Sequence, residues 1–297
     1  MTKNVIRHGI FAWLFIAICL CHSAIADTTT ARKSSEAEFM VFDGTLYRHK
    51  PELGSYGIKP VDILYMTRFW PNDRSPSALG RLPRESVVRQ LAREASAKAQ
   101  PVVIDIEHWR LDGGDKQMNT NLARYESVLR WMRNEAPGLK LGYFGHLPMT
   151  AYGWSIRGQG SRAYRRWQIE NKKRGALAPL VDAIYPPLYT YFPNQRDWVR
   201  FAIANLREAH RYGKPVYAFL WPQYVERNNQ VGLQYLPAKF WRLQLETVRK
   251  YADGVVIWGG WDGKHGGPAT WDETAPWWTV TKQFLRELQH GQETDLH

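Results

Sequence analysis

Cysteine is almost absent from this 297-residue chain, and its two cysteines, Cys19 and Cys21, both fall within the first 26 residues. From Asp27 onward no disulfide can form, so the fold must rest on a hydrophobic core, which a chain of about 270 residues can supply. Long apolar runs are scarce too. Ile10 to Leu20 is the candidate, and it is too short and too soon followed by polar sequence to span a membrane. Lys3 and Arg7 precede it and Ala24-Ile25-Ala26 follows it, the pattern of an export signal cleaved before Asp27. We expect an exported protein, periplasmic or secreted, with no stable membrane insertion after signal removal. No Gly-x-Gly-x-x-Gly follows the first strand, and there is no phosphate-cradling loop, serine-nucleophile motif or His-x-x-x-His pair. These absences count against dinucleotide, nucleotide, serine-hydrolase and zinc-protease chemistry, and no cofactor or metal is expected.

Acidic residues are the minority charge. Taking Lys3 and Arg7 from the 40 basic residues, against 28 acidic ones, leaves the exported chain at +10. Such a balance suits an anionic partner: an acidic polysaccharide, a cell envelope or nucleic acid. No nucleic-acid motif supports the last of these. The densest basic group, Arg162, Arg165, Arg166, Lys172, Lys173 and Arg174, reads as the solvated face of a helix. Aromatics are abundant instead, with 14 Trp, 15 Tyr and 11 Phe. Cores absorb many such rings, but rings near strand ends can also stack on flat ligands.

After a polar leader at 27–38, strand-like and helix-like patterns alternate. Strands are expected at Phe39–Phe42, Val61–Thr67, Pro101–Trp109, Leu139–Phe144, Val181–Tyr189, Pro215–Trp221 and Gly254–Trp258. Helices are expected after Pro83, up to Pro137-Gly138, over Ser161–Gly175, from Arg196 to Gly213, from Pro237 and over Pro276–Leu288. Strand–helix alternation means a parallel sheet, and about seven units without a linker predict one α/β domain, a TIM-like (β/α) barrel spanning 39–290, with 291–297 as a tail. A doubly wound open sheet is the alternative.

Chemistry in such barrels sits where the strands end. Those ends read Asp43, Arg68-Phe69-Trp70, Asp105/Glu107/Trp109, Tyr143 to His146, Tyr185 to Tyr189, Trp221 to Tyr224, and Trp258 to Asp262. Strand alternation puts Val103, Asp105, Glu107 and Trp109 on one face, with the carboxylates roughly 6–7 Å apart. Ionised carboxylates ending an apolar strand are costly unless paired or employed. Glycoside cleavage needs a carboxylic acid that stays protonated near neutrality, and a neighbouring carboxylate raises its partner's pKa. The pair therefore reads as catalytic, with Glu107 as the acid and Asp105 as the deeper partner; a structural pair bonded to basic groups is the plain alternative. Trp109 either desolvates Glu107 or simply packs. Tyr189 either donates a hydrogen bond into the site or caps the barrel. Trp258 and Trp261, in a glycine-rich stretch, are expected to line a cleft, while His108 points away in a structural role. Asp262 or Glu226 could serve as the second acid of a different glycosidase mechanism, and a barrel that binds glycans without turnover would keep the same aromatics.

The run Val103-Ile104-Asp105-Ile106-Glu107-His108-Trp109 resembles the Asp-x-Glu strand end of hyaluronidases, glycoside hydrolase family 56. Leu141-Gly142-Tyr143-Phe144-Gly145 is similar to that family's aromatic-Gly segment, Tyr185-Pro186-Pro187-Leu188-Tyr189 to its Tyr-Pro-Ser-x-Tyr, and Asp253-Gly254-Val255-Val256-Ile257-Trp258-Gly259 to its Gly-Val-Val-x-Trp-Gly strand. The order holds from about residue 39 to 265. The resemblance implies a distorted barrel of about seven strands and a retaining mechanism in which the substrate's own acetamido group is the nucleophile. Glu107 would be the acid/base, Asp105 would orient the acetamido group, Tyr189 would hydrogen-bond near it, and Trp258 would floor the reacting sugar. The expected partner is a polysaccharide, N-acetylated by the resemblance and anionic by the charge balance, and Tyr143, Tyr185, Trp109 and Trp261 are further candidate substrate contacts among the aromatics at the strand ends. This chain departs from the family in lacking its disulfides and in ending the first strand as Phe42-Asp43-Gly44. Pro148-Met149-Thr150-Ala151-Tyr152 mirrors a further family loop only loosely.

Overall fold

The computed structural model describes residues 38–294 apart from Arg74 and 263–265. The expected signal at 1–26, and the leader up to residue 37, lie outside the described residues. Seven parallel strands carry the frame: β1 (Met40–Thr45), β2 (Lys59–Pro60), β3 (Asp62–Tyr65), β4 (Val102–Asp105), β5 (Leu141–Tyr143), β6 (Tyr217–Leu220) and β7 (Gly254–Gly259). An antiparallel ribbon, β8 (Trp261–Asp262) with β9 (Gly267–Pro268), follows β7. The helices between and after them are α1 (Met66–Phe69), α2 (Pro76–Leu79), α3 (Glu85–Lys98), α4 (Asp115–Glu135), α5 (Tyr152–Ser155), α6 (Arg162–Arg174), α7 (Gln195–His210), α8 (Ala238–Tyr251) and α9 (Pro276–Thr294). The last helix therefore runs into the stretch expected as a tail.

The strands do not form one seven-stranded sheet. They form a four-stranded sheet in the order β2-β1-β7-β6 and a three-stranded sheet in the order β3-β4-β5. Only Val61 separates β2 from β3, so one chain segment pairs with β1 at its start and with β4 beyond. The strand expected at 181–189 is not a regular strand. Pro186 and Pro187 have no N–H to give a ladder, so pairing there is intermittent. Isolated parallel bridges link Phe144 with Tyr185, Ile184 with Val216 and Pro187 with Phe219, which places this segment between β5 and β6.

Alternation along the strands sorts the apolar side chains into two clusters. One face gives Phe42, Val103, Phe144, Ala183, Tyr185, Phe219 and Val256, a small core enclosed by strands. The opposite face, including Val41, Val102, Ile104, Leu141, Ala218, Val255 and Ile257, packs on the helices in the larger core. The helices bury the periodic positions read from the sequence, such as Trp198, Phe201, Ala202, Leu206 and Ala209 on α7 and Phe240, Trp241, Leu245 and Val248 on α8. Much of the tryptophan is spent here, with its polar edge satisfied: Trp241 Nε1 donates to Thr281 Oγ1 (2.9 Å) and Trp198 Nε1 to Leu188 O (3.0 Å). On α6, five of the six expected basic positions are exposed, but Arg174 turns inward and is 6% exposed.

Gly142 shows how tightly the enclosed core is filled. A Cβ there would sit 2.5 Å from Tyr185 Cε2 and 2.6 Å from Ala183 O, and the latter is backbone that cannot swing aside. Gly142→Ala should therefore cost about 1–3 kcal/mol of stability. Denaturant unfolding checks this, and an unchanged midpoint would mean that β5 and the Tyr185 segment are not so closely apposed.

Candidate active site

The β4 ladder stops at Asp105, short of the Trp109 end that the alternation pattern suggests. What stops it lies on the helix side. Ile106 is fully buried, and its carbonyl oxygen accepts hydrogen bonds from Tyr125 Oη (3.0 Å) and His146 Nε2 (2.8 Å). Tyr125 shares that single hydroxyl hydrogen with Trp109 O, at 2.9 Å. The chain turns over these anchors, leaving Asp105 on the inner face above Val103 and Glu107 exposed beyond it. Gly145, at φ +72°, brings its backbone near the Glu107 carboxylate, for a Cβ there would be 3.9 Å from Glu107 Oε1.

Both carboxyls are shifted toward the protonated form. Burial, then the Glu107 charge, pushes Asp105 up to about 7. Glu107 is also raised by partial burial, against the opposing pull of the Arg227 guanidinium. The sequence favours Glu107 as the group holding the proton, whereas in the free site the larger rise falls on the deeper Asp105. The two titrate as one coupled pair.

An aromatic wall stands beside the pair. Tyr65 lies opposite Asp105 in the β3–β4 register, and its hydroxyl accepts the Trp258 Nε1–H at 2.9 Å. Burial pushes Tyr65 up to about 12, with the Asp105 charge adding to it and the Trp258 bond working against it. Tyr189 packs on Trp258 (ring centroids 5.7 Å apart, planes at 31°) and on Trp221 (5.6 Å). Burial first, then the charges of Tyr65, Asp105 and Glu107, lifts Tyr189 well above its ordinary value, so it remains a protonated donor. Trp221 meets Trp258 edge-on at 5.0 Å. Tyr191 completes the set: burial raises its pKa, with the Arg227 charge working against it and the Glu107 charge adding to it.

The structure thus brings together Asp105, Glu107, Tyr189 and Trp258 of the expected residues and leaves others elsewhere. Trp109 does not share the acids' face: because the strand has ended, it turns to the helix side, 2% exposed, donates to Leu79 O and packs on Trp70 and Tyr125. Tyr143 also faces the helices, since Gly142 and Phe144 take the inner positions on either side of it; its hydroxyl donates to Tyr125 O. Tyr185 is on the inner face but sealed within the enclosed core at 1% exposure. Trp261 presents a 43% exposed ring on β8, past the Gly259-Gly260 turn. Asp43 points outward and pairs with Lys50, and Arg68-Phe69-Trp70 belongs to α1 and its end rather than to a strand tip. Tyr65, Tyr191 and Arg227 were missed. A β3 ended at Tyr65 by inward alternation from Ile63 would have found the first.

No protein-family model and no curated protein matches the sequence. Among solved structures the chain is similar to bee venom hyaluronidase, with a TM-score of 0.59 and 18% identity over 85% of this chain and 98% of that one. It is also similar to bee venom hyaluronidase in complex with a hyaluronic acid tetramer, with a TM-score of 0.57 and 17% identity over 85% and 96% of the two chains. A Cellulomonas fimi endo-β-1,4-mannanase double mutant gives a TM-score of 0.50 and 12% identity over 78% of this chain and 55% of that one. These neighbours are TIM-barrel glycosidases, and at such identities the likeness is one of α/β fold.

The Asp105 shift has a measurable consequence. The unfolded chain releases this proton near 3.8 while the folded chain keeps it to about 7, so the folded state loses stability as pH climbs between those values and carries the full penalty above them. Asp105→Asn should therefore melt higher than the wild type at pH 8, by about 2–3 kcal/mol in unfolding free energy, and the gap should close near pH 4. Thermal unfolding at both pH values checks this; an equal gap at both would refute a buried, proton-retaining Asp105.

Proposed function

We propose that this chain is an exported retaining glycosidase that cleaves N-acetylhexosamine-containing polysaccharide, hyaluronidase-like, with the substrate's acetamido group as nucleophile. On this reading the two parallel sheets and the segment at 183–190 act as the staves of one distorted barrel. The observation that carries the proposal is a coupled carboxyl pair, one member pushed up to about 7, at the end of β4 beside the Tyr65–Trp258–Tyr189 wall. Both acids come from one strand end, so they act from one side of a bound sugar. A double displacement through an enzyme carboxylate needs its acid and nucleophile on opposite sides of the scissile bond. A substrate acetamido oxygen removes that requirement.

The pair holds one proton near neutrality. Carried by Glu107, it passes to the glycosidic oxygen as the bond from the anomeric carbon to that oxygen breaks. The acetamido carbonyl oxygen bonds to the anomeric carbon, and ionised Asp105 accepts the acetamido N–H and stabilises the positive charge that develops there. Glu107, now a carboxylate, takes a proton from water; the water oxygen bonds to the anomeric carbon, the acetamido oxygen leaves, and configuration is retained. Tyr189 donates a hydrogen bond to the reacting sugar, and the Trp258 face carries its apolar side.

Glu107→Gln should lower the release of reducing ends by about 10²–10⁴-fold with the fold intact. Near wild-type release would sink the assignment of the acid, and absence of release from the unmutated protein with retained oligosaccharide binding would make the chain a glycan-binding protein. Initial products should keep the substrate's anomeric configuration by NMR, and inversion excludes the acetamido route. Activity should fall as pH rises past about 7, where the pair loses its shared proton.

A further inference from the structure

The aromatic wall beside the acid pair leans on Trp221, which directly follows β6. Its ring meets Trp258 edge-on at 5.0 Å and Tyr189 at 5.6 Å, and it is 8% exposed. Edge contacts alone leave an indole several orientations, and the partner of its N–H selects among them. That partner is Gln223: Trp221 Nε1 donates to Gln223 Oε1 at 3.0 Å. The same amide donates from Nε2 to Leu233 O at 2.7 Å. An indole N–H only donates and a carbonyl only accepts, so one orientation of the amide serves both partners. Leu233 is itself held at φ +63°, an uncommon conformation for a residue with a side chain. The indole edge fixed in this way lies against the end of β7, where a Cβ on Gly259 would sit 3.3 Å from Trp221 Cδ1 and 3.5 Å from its Nε1.

We infer that Gln223 is a positioning residue of this site, holding Trp221 in the orientation that braces Trp258 and Tyr189. The inference rests on the glycosidase reading and adds to it a group that acts through other rings rather than on the sugar itself. Closing the loop at 222–236 does not require the amide. Three backbone hydrogen bonds already close it: Leu236 N to Pro222 O (2.9 Å), Tyr224 N to Gln234 O (3.0 Å) and Leu233 N to Tyr224 O (3.0 Å). What the side chain adds is the tie between this closed loop and the Trp221 ring. Trp258 is held at its own N–H by Tyr65 at 2.9 Å, so the sugar floor is pinned at one edge and braced by Trp221. Removing the brace frees the floor to shift, and about 1 Å of misplacement costs up to about 10²-fold in rate.

The test compares Gln223→Met, which keeps the length of the side chain and loses both amide bonds, with Trp221→Phe, which keeps a ring and loses the N–H. Each should lower kcat about tenfold on an N-acetylated polysaccharide, with KM changed less than about threefold. Because both break the same bond, the double variant should turn over no more slowly than either single one. A second readout needs no turnover: in proton–nitrogen correlation spectra of the full-length protein, the Trp258 indole N–H signal should shift in both variants. If Gln223→Met does not fold, Gln223→Asn, whose amide is too short to span Trp221 and Leu233, takes its place with the same expected losses. An unchanged kcat in the Gln223 variant, or losses that multiply to about a hundredfold in the double variant, overturns the role. So does a Trp258 signal that stays in place. If the wild type cleaves no N-acetylated glycan, the glycosidase reading fails, and a Trp258 signal that moves in both variants still upholds the brace.

Discussion

One carbonyl oxygen governs the site. Ile106 O sits at the end of β4 and takes two hydrogen bonds, from Tyr125 and His146, so both of its lone pairs are spent on the helix side. A ladder cannot continue through a carbonyl so committed, and the chain must turn there. That turn separates neighbours which strand alternation would have kept together: Asp105 stays inside, Glu107 goes to the open end, and Trp109 goes under the helices. The anchors are held in turn. Tyr143 Oη donates to Tyr125 O at 2.8 Å, and Tyr125 packs against both Tyr143 and His146, at 4.8 Å and 4.4 Å between ring centroids. Tyr143, lying away from the acids, thus supports them through two steps of contact.

On the far side, the end of β7 does for Trp258 what Ile106 does for Glu107. Gly259 and Gly260 have φ of +153° and +81°, and a Cβ on Gly260 would lie 2.6 Å from Tyr47 N. Any other residue would force β7 away from Tyr47 or straighten its end. With glycine there, Trp258 can lean across to Tyr65 while its neighbours turn off toward the ribbon. The site is therefore fixed by backbone events at two strand ends, and the aromatic rings between them transmit that placement. The cost is carried by Asp105, whose burial opposes ionisation and removes stability at neutral pH.

The helices were legible because each depends on its own residues: 3.6-residue apolar spacing on α7 and α8, and a proline opening α8 and α9, are local facts. The acid pair was legible for the same reason, since two carboxylates ending an apolar strand demand a physical explanation wherever they occur. Strand ends were not. Whether Trp109 shares a face with Glu107 depends on Tyr125 and His146, residues 16 and 40 positions away in the hydrogen bonds that matter. The same is true of Tyr65, which becomes a site residue only because β3 stops in register with Asp105 and Trp258 reaches it from the other sheet. Pro186 and Pro187 did carry a readable warning, since two missing N–H groups cannot sustain a ladder, and they account for the irregular segment between β5 and β6.

The titrating groups around the site are arranged to leave the acid pair alone in the neutral range. His146, fully buried and with the Arg174 charge beyond it, is pushed down to about 4, so it stays a neutral Nε2–H donor to Ile106 throughout the neutral range. Tyr65 is pushed up to about 12, and Tyr125 and Tyr189 stay protonated above the neutral range. Burial drives imidazole and phenol in opposite directions on the pH scale, but in both it favours the uncharged form, which is the form that donates these hydrogen bonds. Arg174 is the exception: burial lowers its pKa too, yet a guanidinium starts so high that it remains a cation. A fixed positive charge behind neutral donors keeps the scaffold of the turn from responding to pH. What responds is the pair of carboxyls the scaffold presents, and their coupling makes the gain or loss of one proton a property of the site as a whole.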